Sequence, residues 1–525
     1  MALSPLATKT PGVYIDEKNG FPNSALEVAT AIPAFVGYTP KAEYEGESYL
    51  NTPLKITSFQ EFQTIFMYPN PAPPAPPAIQ YSPQYHVVEQ KEAPAGGRSY
   101  NFGGSIYTIE PDPGTIYYLY NSIRLFYQNG GGPAYIVSVG TYGEPTGSPI
   151  QAGGAIVNPN VSLKQLQAGV ALLEKENEVT MYVVPEATLL SAAENSTLMQ
   201  SMLIQNGDMG TAMSIFDIIG GREPYPIMYM DDITAFRNST GNNSLKFGTA
   251  YYPYLITTIT SNTEISYENI NGGNTAALEA ILSPTDNPNP AAVELLAKAQ
   301  APDGLTVPQI NQSLVAASKV YSQIMNVILK RVNTLPPSGA MAGVYTLTDN
   351  TKGVWFAPAN VTPVATVGTT LQITDAMQAG LNVDAVSGKS INAIRFFNGN
   401  GILIWGARTL DGNSLNWRYI NVRRTVTMIE QSIKLATRAY VFSPNDANTW
   451  ASVKGVINNF LTSMWAQGAL QGAAPADAFS VQVGLGSTMT GLDILEGIMK
   501  ISVKLAVVRP TEFIIIEVEQ QMPKS

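Results

Sequence analysis

Phe513, Ile514, Ile515 and Ile516 stand side by side in the stretch RPTEFIIIEVEQ, residues 509–520. Successive side chains of a strand point to opposite faces, so a strand through these four residues is apolar on both. It needs cover on both sides. Either it runs through the middle of the protein's own core, or another chain covers it, because a long apolar edge left open invites aggregation. The rest of the chain has to decide between the two.

At 525 residues the chain exceeds the roughly 300 at which single cores give way to several domains. Its hydrophobic content of 45% is that of a globular protein, but only 13% of its residues are charged, against roughly 25% in ordinary soluble domains. So little charge covers a free surface poorly, and much of the surface is expected to lie against partners. The net charge of −10 opposes binding to a phosphate backbone, which calls for clustered Lys and Arg. With no Cys in the sequence, disulfides, thiolate chemistry and Cys-ligated metals are excluded. The opening MALSPLATKTPG lacks a charged segment followed by an apolar one. No apolar run reaches the ~20 residues that cross a bilayer. Synthesis in a cytoplasm, without membrane insertion, is expected.

TPGVYIDEKN (10–19) reads as a brief strand, with Val13 and Ile15 on one face and Tyr14 on the other. It has no hairpin partner nearby, so strand-like arms stand at both ends of the chain. AIPAFVGY (31–38) is a second strand, and SFQEFQTIF a helix that Ser58 would cap and Glu61 would complete as a capping box. The Pro-rich YPNPAPPAPPAIQYSP (68–83) suits an exposed extended loop. Helix then strand recurs over 114–140 and 163–188, and 212–221 adds a buried strand, an alternation that argues an α/β layer with mostly parallel strands. Residues 257–334 turn polar before a long helical stretch at 308–332, and 415–525 reads helix, helix, strand, helix, strand. That last segment holds 10 Lys and Arg against 8 Asp and Glu, leaving 20 against 32 in the remainder. The C-terminal part is expected to face different surroundings.

Catalytic chemistry finds little footing. His86 is the single histidine and lies beside the Pro-rich loop, so it reads as a solvated loop residue rather than the base of a triad. Zinc usually takes several His or Cys ligands. VDAVSGKS (383–390) ends like a phosphate loop, but Val383 stands where the first Gly belongs, and GLGSTMTG (484–491) has Met489 in place of its third Gly. Both read as turns, and no cofactor, metal or catalytic residue is assigned.

Several stretches together resemble the contractile tail sheath proteins of phages and of phage-derived injection systems. They are TPGVYIDE (10–17), TPLKITSFQEF (52–62), LFYQNGGGPAYIVSV (125–139), AYYPYL (250–255), LPPSGAMAGVYTLTD (335–349) and KGVWFAPAN (352–360). NGNGILIWGARTL (398–410), WRYINVRR (417–424), VFSPND (441–446), WAQGALQGAAPADAF (465–479) and VRPTEFIIIEVEQ (508–520) follow in order. Two regions depart from the family's compact form, 67–113 and about 260–330, and are expected to decorate the surface.

The resemblance implies a multidomain α/β and α+β protein. An N-terminal arm (1–30) would join an inner domain. An outer three-layer α/β domain, subtilisin-like in shape, would span 31–410. A C-terminal α+β domain (411–525) would end in an exchanged strand. It further implies a subunit that polymerises helically around an inner tube and contracts to drive the tube through a target envelope. Its partners would be further copies of itself, the tube protein, and baseplate and cap proteins. In the family the terminal arms pair with strands of neighbouring subunits, which would cover both faces of the C-terminal run. Val13, Tyr14, Ile15, Phe513, Ile514, Ile515, Ile516 and Val518 are the expected exchanged residues. For the inner tube, Lys434 and Arg438 on one helix and Lys454 and Asn458 on the next are the candidate contacts. A static strand-exchanged surface polymer and an α/β hydrolase are the alternative readings.

Overall fold

The stretch PAFVGYT has no charged side chain, and the strand it forms, Pro33–Thr39, is buried along its whole length. A strand inside a parallel sheet covered on both faces requires this composition. In the computed structural model, which describes residues 25–69, 80–224, 227–300 and 304–515, this strand lies in an eight-stranded sheet. The order is Gly401–Trp405, Asn392–Phe397, Gly248–Tyr252, Met213–Asp217, Met181–Val183, Pro33–Thr39, Ala134–Thr141 and Leu54–Ile56. The inner pairings are parallel, and each edge strand runs antiparallel to its neighbour.

Alternation along the Pro33–Thr39 strand shows what covers each face. Phe35 meets Phe126 of the helix Leu119–Gln128 edge to face, with ring centroids 5.2 Å apart. Val36 points the other way, toward the helix Leu163–Leu172, where a β-carbon on Gly169 would stand 2.7 Å from its Cγ1. The helix Ser338–Lys352 packs onto Leu119–Gln128. A β-carbon at Gly339 would lie 2.5 Å from the Ser122 carbonyl oxygen, and one at Gly343 2.5 Å from that of Phe126, so only glycine allows the approach. The expected α/β layer is present, with helices on both faces. The SFQEFQTIF helix is Phe59–Phe66. Ser58 caps it by accepting from the Glu61 N–H, but the Glu61 carboxylate turns to the Thr57 N–H at 2.8 Å, so the capping box is half formed.

The stretches 85–111 and 275–332 come together as one structure. Strands Tyr85–Gln90, Ser105–Pro111 and Ser99–Phe102 form an antiparallel sheet in that order. The helices Thr275–Leu282, Pro290–Gln300, Val307–Ala317 and Lys319–Val332 share a separate apolar core with it. Tyr85, Val87 and Ile109 from the first segment are buried among Leu278, Leu314 and Ile328 from the second. The helical stretch expected at 308–332 is two helices that meet at Ser318, whose backbone is extended and whose Oγ accepts from the Tyr321 N–H to start the second. His86 is therefore no loop residue. It sits within the Tyr85–Gln90 strand, its side chain is mostly covered, and its Nε2 lies 3.7 Å from Asp112 Oδ2.

The described residues form two compact units. All the elements above belong to the larger, 29–424 with 510–515. The smaller holds 25–28 and 425–509. In it the helix Ala447–Ala466 lies on the strand Phe479–Val483, which pairs antiparallel with Ile501–Leu505. Its register sets Phe479 opposite Leu505, Val481 opposite Val503 and Val483 opposite Ile501. Val453, Val456, Ile457, Phe460, Leu461 and Met464 make the buried stripe of the Ala447–Ala466 helix, and Trp450 is half-buried. At the start of the described chain the Val28 N–H donates to the buried Ser432 Oγ.

Candidate assembly interface

The Phe479–Val483 and Ile501–Leu505 strands form a sheet of two, and among the described residues nothing pairs with the outer edge of either. Each strand has one row of N–H and C=O groups spent on its partner and one row left over. Most of the side chains on both strands are half-buried. A two-stranded sheet in this state is an open template for a further strand.

Phe513, Ile514 and Ile515 are 68%, 80% and 87% exposed. They do not enter the core of their own chain, which leaves the second of the two covers open to them. Ile516 and Val518 lie outside the described residues, as do Val13, Tyr14 and Ile15.

Immediately before this exposed run, Glu512 is held on four sides. Its carboxylate accepts from Arg408 Nε at 2.9 Å, Arg408 Nη2 at 2.6 Å, Asn382 Nδ2 at 2.7 Å and Tyr419 Oη at 3.0 Å. Burial alone would raise the Glu512 carboxyl, but the bonds from Arg408 and Asn382 hold it below the usual carboxylate range. Sequence reasoning missed this group. Its members come from residues 382, 408, 419 and 512, a spread that no spacing rule detects.

The cationic candidates lie where helix patterning puts them. Lys434 and Arg438 are exposed, four residues apart, at the end of the helix Ile420–Thr437 and in the 3-10 turn that follows. Lys454 is exposed and Asn458 half-buried one turn on, in Ala447–Ala466. No hydrogen bond or ion pair among the described residues joins the two pairs. Leu435 is 55% exposed, whereas Met428 and Ser432 on the same helix are buried. Near these helices Phe442, which the sequence did not single out, is fully exposed with a left-handed φ of 71°. A bulky residue rarely takes that conformation.

Buried carboxyls elsewhere serve the core. Glu186 accepts from the Leu119 N–H at 2.8 Å and burial pushes it up to about 8. Asp217, likewise raised by burial to about 7, accepts from the Ser338 N–H at 2.8 Å. Residues 383–390 and 484–491 are turns, and the Lys389 amine of the first is spent on the Arg237 carbonyl oxygen. Among the described residues no group of His, Asp and Glu could hold a metal ion, and no helix is long and apolar enough to cross a membrane.

A mixed α/β body, a second unit with a two-stranded sheet, and an exposed apolar stretch near the end of the described chain are features of an assembly protein. Residues 413–521 match the family model of the phage tail sheath C-terminal domain. Over 130 residues the chain is 28% identical to a tail sheath protein of Vibrio phage KVP40, covering 25% of this chain and 19% of that protein. Over 142 residues it is 27% identical to a tail sheath protein of Burkholderia phage BcepMu, covering 26% of this chain and 29% of that one. The aligned part thus spans less than a third of either relative's length. The structural likeness is wider. The helical sheath of the anti-feeding prophage in its contracted state superposes with a TM-score of 0.58 at 25% identity, over 98% of this chain and 100% of that one. The chain carries the fold of contractile sheath subunits, and the proteins it resembles are structural sheath proteins, not enzymes.

Proposed function

We propose that this protein is the sheath subunit of a contractile particle. It polymerises helically around an inner tube and contracts to drive that tube through a target envelope. One observation carries the reading: a two-stranded sheet with both outer edges unpaired among the described residues stands in the same chain as Phe513, Ile514 and Ile515, which their own core does not take up. Strand addition joins the two across copies, with backbone hydrogen bonds giving affinity and side chains setting register. The receiving edges are those of Phe479–Val483 and Ile501–Leu505. The incoming strands are the tail from Phe513 to Val518 and the N-terminal Val13, Tyr14 and Ile15. A contact made head to tail does not close on itself, so it propagates into an open helix.

In this reading residues 1–30 are a joining arm, 31–410 the outer domain and 411–525 the inner one. The outer domain would have the subtilisin-like shape. The particle is assembled in the bacterial cytoplasm on a baseplate and closed by a cap. No cofactor is consumed at firing. The energy sits in an extended lattice, kinetically trapped short of a better-packed contracted one.

Electron microscopy of the expressed chain tests this directly. Tubes are expected from the intact protein, and soluble, folded, non-polymerising subunits from a chain ending at Glu512. Tubes of normal length from the truncated chain overturn the reading.

A further inference from the structure

The chain leaves the open hairpin through Arg509, yet residues 510–515 belong to the larger unit. Glu512 is the residue that holds them there. We propose that Asn382, Arg408 and Tyr419 form a carboxylate socket in which Glu512 seats the root of the C-terminal arm, fixing the point from which the apolar stretch departs toward a second copy of this chain. The inference rests on the strand-exchange reading above and adds to it a set of positioning residues.

The backbone of the socket is held by contacts that do not involve the arm. Arg408 and Tyr419 face each other in an antiparallel bridge, backed by the Thr409 N–H donating to the Arg418 carbonyl at 2.8 Å. Asn392, in the large sheet, grips the Arg408 backbone on both sides. Its Oδ1 accepts from the Arg408 N–H at 2.8 Å and its Nδ2 donates to the Arg408 carbonyl at 2.8 Å. The Arg408 side chain is 4% exposed, and that of Glu512 is 21% exposed. A guanidinium fork meeting both oxygens of a carboxylate fixes direction as well as distance, which a lone lysine does not.

Exposure changes abruptly at this point. Glu512 is fixed by four hydrogen bonds, and the next three side chains stand in solvent. A strand that starts from a fixed origin searches a small volume, so its effective concentration at a neighbour's sheet edge is high. Freed at Glu512, the arm would swing from farther back and lose that preorganisation.

Glu512→Gln and Tyr419→Phe test the socket. Arg408 is left alone because it also donates to the Asn382 and Gly412 carbonyls. The chain has no native Cys, so a spin label on Thr511→Cys reports the root of the arm in the unpolymerised full-length subunit. Circular dichroism checks that each variant is folded. The expected result is an immobilised label in the parent and a mobile one in both variants. The concentration needed for tubes should rise about tenfold. A label equally mobile in parent and variants overturns the socket. A mobile label with tubes at the parent's concentration overturns its role in assembly. Tubes from the chain ending at Glu512 would instead sink strand exchange, and the label would still decide the socket.

Discussion

Arg331 and Glu110 lie 221 residues apart in sequence and meet as a buried bidentate pair, at 2.8 and 3.1 Å. Arg331 ends the last helix of one extra segment, and Glu110 lies in the last strand of the other. Glu223 approaches the same guanidinium at 3.1 Å. The Glu110 carboxyl is nonetheless raised, because burial outweighs the neighbouring guanidinium. Burying both charges costs desolvation that their mutual attraction must offset, so removing one partner alone is costlier than removing both.

Arg331→Met should be strongly destabilising, by ~3–5 kcal/mol, since it strands a carboxylate in the interior. Glu110→Leu combined with Arg331→Met should recover most of that loss. Urea denaturation of the two variants checks it. An equal loss in both would mean the charge is not what matters.

Leu314→Ala, at a position fully buried in the core shared by the two segments, should cost ~2–5 kcal/mol. Removing residues 70–95 should have a similar local effect, because Tyr85 and Val87 leave that core with the loop. Protease cuts confined to 85–111 and 265–332 are the expected readout, with the eight-stranded body intact.

Glu186 carries a pH dependence whose sign can be worked out. Its carboxyl is raised from 4.5 to about 8 by burial. Between those values the folded chain keeps a proton that the unfolded chain has released. Stability from this group is thus present below the unfolded value and is lost as pH rises toward the folded one. Glu186→Gln should flatten the fall in Tm between about pH 5 and pH 8. Asp217, raised from 3.8 to about 7, leaves a smaller slope behind. An unchanged profile would mean Glu186 is ionised in the native state.

Lys434→Glu with Lys454→Glu should hinder assembly around the tube while sparing tubes of sheath alone. Each exposed contact contributes under ~1 kcal/mol, but every subunit repeats it. Normal yields of tube-filled particles would rule these helices out as the grip.

The α/β layer was legible because its central strands announce themselves: PAFVGYT and AYIVSV can only be buried. The short Leu54–Ile56 strand and the edge pair at 392–405 were not read from the sequence. The helical part of the smaller unit was legible too. The shared core of the two extra segments was not, since Val87 and Leu314 reveal no pairing across more than two hundred residues. His86 was misread because its neighbour, the Pro-rich stretch, says nothing about the strand that begins at Tyr85. Glu512 went unnoticed amid the apolar residues that follow it, although its partners Arg408 and Tyr419 lie in stretches that carry the family likeness.

The extra core has a genealogical consequence. Neither segment can close it alone: without 265–332 the Ser105–Pro111 strand would present Tyr107 and Ile109 to water, and without 85–111 the four helices would lose the sheet that covers them. A chain holding only one of the two segments would carry an uncovered apolar face. The pair is therefore expected to be inherited as one character, present together or missing together, and to change length in step among relatives.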